Sequence, residues 1–90
     1  MTNLETTIIE QARHELQNLR RALLMPVGDD RITALASSFW MLSGLTSLGS
    51  LAKSGLSEKS VDELLALDKE AGQAIAAAGL VGAITKARPE

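Results

Sequence analysis

The chain contains no cysteine and no tyrosine, and only one phenylalanine, one tryptophan, one histidine and two prolines among its 90 residues. Without cysteine there is no disulfide framework, no thiol nucleophile and no thiolate metal site. A single histidine leaves His14 with no second imidazole for a metal centre or a proton relay; Glu10 and His14 stand at i, i+4, but zinc takes at least three protein ligands. Scarce aromatic and β-branched residues weigh against a β-sandwich or barrel. No excess of basic charge is present either. The net charge is −2 and the isoelectric point near 5.3, so no general attraction to nucleic acid or anionic lipid is expected. Internal repeats, low-complexity tracts and long linkers are missing from the sequence as well.

What remains is a helix builder's composition. Fifteen Leu and thirteen Ala dominate a chain that is 46% hydrophobic. These residues rank high in helix propensity. The expectation is one all-α domain over residues 1–90. Its simplest closure is a three-helix antiparallel up-down-up bundle, with a fourth helix if the third breaks near Asp68.

Local signals place the helices at about 3–24, 30–54 and 57–78. Thr2 and Glu5 form a T-x-x-E capping box. Ile9, Ala12, Leu16, Leu19 and Leu23 then recur at spacings of 3 and 4, an a/d seam that Leu4, Ile8 and Leu24 widen into a stripe. Pro26 disfavours helical torsions at Met25 and ends helix 1. Asp29 or Asp30 is expected to cap helix 2. Gly55 suits the left-handed position after its last turn, with Leu51 and Leu56 as the accompanying apolar pair. Helix 3 begins at Ser57, with Leu56 and Val61 as a hydrophobic staple, or at Ser60, with Glu63 completing a capping box. Gly79, Leu80 and Ile75 carry a Schellman pattern that stops it near Ala78. The tail over 81–90 is expected to be partly disordered.

Helix 2 is the informative element. No charged residue occurs from Ile32 to Ala52. At 100° per residue, Ile32, Leu35, Phe39 and Leu42 form one apolar row; Met41, Leu45, Leu48 and Ala52 form the next. Both rows are expected to face helices 1 and 3. The opposite side holds Thr33, Ala36, Ser37, Ser43, Gly44, Ser47, Ser50 and Ser54, where an ordinary solvent face would carry Lys and Glu. Trp40 and Leu51 project from it. Small residues along a stripe let another helix approach closely, and a Trp among them fits an interface anchor. Residues 71–83, also rich in small side chains, are the alternative cover for that side. Asp68 is the second anomaly, because it falls among Leu64, Leu65, Gly72 and Ile75. A buried carboxylate needs a partner. Either the helix breaks there and Asp68 caps a new one, or Arg20, Arg21 or an external cation pairs with it.

No G-x-S-x-G, P-loop, H-E-x-x-H or dinucleotide fingerprint occurs. The carboxylate pairs Asp29–Asp30 and Asp62–Glu63 fall at helix starts, where capping accounts for them. The chain is therefore not expected to be an enzyme or to hold a cofactor or metal. The expected function is binding another protein, a second copy included, as an adaptor, a stoichiometric inhibitor or regulator, or an assembly subunit. The expected contact residues are Phe39, Trp40, Met41, Ser43, Ser47 and Leu51, and Trp40→Ala is expected to remove binding while leaving helicity intact.

Two other readings compete. Residues 32–52 are long enough to span or lie in a bilayer, although seven of them are Ser or Thr and the flanking Arg31 and Lys53 show no charge bias. The stretch Leu51–Ser57, followed by Val61 and Leu64, resembles the helix-turn-helix of repressor-type DNA-binding proteins. With Gly55 aligned, Leu51 stands where that pattern places a small residue. The helix that would enter the groove, Ser57–Glu63, carries three acids and one Lys, against the sign that phosphate binding requires. The N-terminus, MTNLETTIIE, has acids and no basic run before an apolar stretch, so no secretory signal is read and a cytoplasmic location is expected.

Overall fold

In the computed structural model, which describes residues 3–49 and 55–87, the chain folds into four helices: α1 (Asn3–Leu23), α2 (Asp29–Gly49), α3 (Glu58–Ala77) and α4 (Val81–Lys86). The three long helices pack against one another as a compact bundle, and α4 packs on α2.

The seam of α1 is buried as its spacing predicts. Ile9, Ala12, Leu16 and Leu19 lie in the core with Leu35 and Leu42 of α2 and Leu64, Ala71 and Ile75 of α3. The widened stripe narrows at both ends, where Leu4 and Leu24 are exposed. Leu24 falls beyond the last turn of α1, which tightens through Leu24 N–H to the Arg21 carbonyl (3.0 Å) and Met25 N–H to the Ala22 carbonyl (3.1 Å). The turn at 24–28 then reverses the chain. The carbonyl of Gly28 accepts the first α2 bond, from Ile32 N–H, so Asp29 and Asp30 sit in the first turn rather than at the cap. Their charge still complements the helix dipole there.

Polar contacts fix α1 and α3 side by side and parallel. Arg13 pairs with Glu63 and Arg20 with Glu70, one heptad apart on each helix. Below them, Glu5 is buried and accepts from the Ser60 hydroxyl (2.7 Å) and the Ser57 hydroxyl (3.0 Å). Those two bonds hold its carboxyl below the usual range, with Ser60 the larger influence. Ser57 is also the N-cap of α3, accepting from Ser60 N–H. Of the two expected starts, Ser57 is the one used. The Thr2 half of the first capping box lies outside the described residues.

Two glycines carry the breaks. Gly55 has φ +79° and Gly79 φ +72°, the left-handed region foreseen for both. At Gly79 the Schellman bonds are complete: Leu80 N–H to the Ile75 carbonyl (3.1 Å) and Gly79 N–H to the Ala76 carbonyl (3.0 Å).

Two expectations are corrected. Helix α3 runs unbroken through Asp68, so Asp68 caps no new helix, and Arg20 is engaged by Glu70. Asp68 Oδ1 is buried with no hydrogen-bond partner, and burial pushes its carboxyl up. The fourth helix arises after Gly79, in the tail expected to be partly disordered. Ile84 recurs four residues after Leu80 and is buried in the core, which anchors α4. Residues 88–90 lie outside the described part.

Candidate protein-binding face

The seating of α2 decides what the bundle presents. Its buried line is Leu35, Ser38, Leu42, Thr46 and Gly49. Two of these are polar and one has no side chain, so counting large apolar residues misplaces the line. Thr46 can turn inward because its hydroxyl donates to the Leu42 carbonyl (2.9 Å) one turn back, and it lies 3.4 Å from the Leu64 carbonyl of α3. Gly49 can turn inward because only hydrogen fits: a Cβ there would meet Leu64 Cδ1 at 2.4 Å. Small inward residues bring the α2 and α3 backbones together.

The consequence is a correction. Met41 and Leu48, expected to face α1 and α3, are 53% and 65% exposed. They line an open groove of about 600 Å³ with Thr33, Ala36, Ser37, Trp40, Gly44, Leu45 and Ala87. Its floor is small, its walls are apolar, and no lining residue is charged.

The expected contact residues separate into groups. Phe39 is half-buried and packs on the core, its ring meeting Trp40 edge to face at 5.1 Å. Trp40 is also half-buried, and its indole N–H donates to the Ile84 carbonyl (3.4 Å). It thus belongs both to the groove wall and to the α2–α4 junction, and Trp40→Ala would disturb both. Met41 is exposed and lines the groove. Ser43 is half-buried and Ser47 exposed; neither lines the groove. They continue the stripe Ala36–Trp40 at spacings of 3 and 4. Leu51 lies outside the described residues. The C-terminal segment therefore meets α2 at Trp40, through the Ile84 carbonyl, and leaves the groove open. Sequence reasoning missed Leu48, Leu45 and Ala87 as lining residues.

A second apolar feature lies at the α1–α2 turn, where Leu24 and Val27 are 87% and 89% exposed. It is a turn tip followed directly by Asp29 and Asp30, and the hollow beside it, which those acids help to line, is smaller, about 280 Å³. The α2 groove is larger and free of charge. His14 is exposed, and among the described residues no group of three or more His, Asp or Glu gathers at one place.

Comparison with protein-family models, curated proteins and solved structures finds no match for this chain.

Proposed function

We propose that this chain is a small protein-binding module that engages a partner through the open face of α2, as an adaptor, a stoichiometric inhibitor or regulator, or an assembly subunit. One observation carries the reading: a helix without charge from Ile32 to Gly49 leaves Met41 and Leu48 in solvent beside a groove of about 600 Å³. Soluble domains bury such residues or use them, and a groove with apolar walls and a floor of Ala36 and Gly44 accommodates the apolar face of a helix. The exposed Glu58 and Asp62 at the start of α3 weigh against a DNA-reading helix.

The test is capture from native cell extract with the tagged chain and with Leu48→Glu, whose side chain already faces solvent. A stoichiometric species retained by the wild type and lost by the variant supports the reading, provided both have the same far-UV spectrum. Equal recovery by both would sink it.

A second reading rests on α2 as well. Its 21 residues are long and apolar enough, by length and composition, to cross a membrane. Against it, a third of that window is buried inside the bundle, with Ser38 and Thr46 turned inward. Retention in the membrane pellet after high-salt washing would favour it; release into the supernatant favours the bundle.

A further inference from the structure

We infer that the occupant of the α2 groove is the α2 helix of a second copy of this chain, packed antiparallel about a two-fold axis that passes between Met41 and Gly44. The inference rests on reading that groove as a protein-binding site and names its partner.

The shape of the face is self-complementary. Along the open side of α2 run Ser37, Met41, Gly44 and Leu48, alternating small and large. A two-fold contact requires that if residue i touches residue j, then j touches i. Turned antiparallel about the stated axis, Met41 of each copy lies over Gly44 of the other, and Leu48 over Ser37. Each of these two large side chains meets a small residue, while Trp40 and Leu45, also on the groove wall, face each other across the axis. Nothing inside the chain requires Gly44 to be glycine, since a Cβ there would meet open space, yet glycine in a helix interior costs roughly 0.5–1 kcal/mol against alanine. A second helix resting on Gly44 accounts for its absence of side chain.

Charge permits a second copy at this face and selects the direction in which it packs. Identical copies related by a two-fold bring the same charges together near the axis, and like-charge contacts are costly. The exposed sides of α1 and α3 carry Glu10, Arg13, Arg20, Arg21, Glu58 and Lys59, whereas α2 offers a face with none. A parallel arrangement would set Asp29 and Asp30 beside their own copies. The antiparallel one sends them to opposite ends and opposes the two helix dipoles favourably.

The size of the face sets the strength. From Thr33 to Leu48 the stripe is about 23 Å long and about one helix wide. That falls short of the ~800 Å² per partner of a standard interface. The dimer is therefore concentration-dependent, with a dissociation constant in the micromolar range or weaker.

Sedimentation equilibrium of the full chain, from low micromolar to millimolar concentration, tests this. The wild type is expected to pass from monomer to dimer. Gly44→Leu, whose Cβ meets no other atom within 4 Å, and Leu48→Glu are each expected to weaken the dimer by about tenfold or more with unchanged far-UV spectra. Orientation is read by disulfide trapping in this cysteine-free chain. Ser37→Cys mixed with Leu48→Cys is expected to give the mixed disulfide, and Ser37→Cys alone none. A wild type that stays monomeric throughout, a dimer indifferent to both groove variants, or self-linking of Ser37→Cys would each overturn the inference. A monomer that still captures a partner lost in Leu48→Glu overturns only the second copy; a monomer that captures nothing overturns the groove reading too.

Discussion

Two glycines on the same helix should respond in opposite senses to the same substitution. Gly44 and Gly49 both lie in α2, and replacing either by alanine raises helix propensity, by about 0.5–1 kcal/mol in a helix interior and at most that at Gly49, its last residue. At Gly44 that is the whole effect, because a Cβ meets nothing within reach. At Gly49 a Cβ would stand 2.4 Å from Leu64 Cδ1 and 3.0 Å from Leu56 Cδ1. Leu64 is fully buried, so its terminal methyl has little room to retreat. Overpacking of this kind costs about 1–3 kcal/mol, enough to outweigh the propensity gain. Gly44→Ala is therefore expected to stabilise the monomer by roughly 0.5–1 kcal/mol. Gly49→Ala is expected to destabilise it by about 1 kcal/mol net. The gap corresponds to roughly 6–16 °C in Tm for a domain of this size. Urea unfolding followed by circular dichroism, at dilutions where the midpoint no longer changes with protein concentration, reads both. If Gly49→Ala stabilised as much as Gly44→Ala, α2 would not be seated on α3 through Gly49. If Gly44→Ala destabilised the dilute chain, the groove face would be turned inward.

Other consequences follow from the same packing. Glu5 and Asp68 act with opposite sign in pH titrations of stability. The Glu5 carboxyl is lowered, so its contribution is present above the usual glutamate range and is lost as pH falls through its folded value; Glu5→Gln should destabilise at neutral pH and remove that acid-side loss. The Asp68 carboxyl is raised, so stability declines as pH rises from the usual aspartate range through its folded value. Asp68→Asn should remove that decline and stabilise modestly at neutral pH, the gain being limited because the side chain is only part-buried. Ile84→Ala should undock α4, shift Trp40 emission to the red and cost about 2 kcal/mol or more in denaturant unfolding. Arg13→Ala and Arg20→Ala should each cost only about 0.2–1 kcal/mol, falling with added salt, because these pairs are largely exposed.

The architecture was legible where residues obey local rules. The α1 seam and the Gly79 stop follow from spacing and contacts within a few residues and formed as read, and of the two caps read for α3 the Ser57 one formed. What was not legible depends on contacts between helices. The inward line of α2 is set by Thr46 and Gly49, whose value is that they allow close approach, something apolar counting scores as zero. That error turned Met41 and Leu48 the wrong way and hid half of the groove. The Glu5–Ser60 contact carried a sequence signal that went unread. Glu5 extends the α1 seam by one step before Ile9, and Ser60 does the same before Leu64, so two polar residues at matching seam ends were candidates to satisfy each other. Ile84 likewise stood four residues after Leu80, but a six-residue helix has too little local signal to be told from a loose tail.

The most direct measurement is oxidative footprinting of the methionines, in native cell extract and in dilute pure solution. Met41 is 53% exposed in the groove, while Met25, 36% exposed at the α1–α2 turn, serves as an internal reference. A face that works by binding protein is covered in the extract, so Met41 oxidation should slow relative to Met25 there and recover on dilution. An unchanged ratio of the two rates in both settings would contradict a protein-binding role for α2.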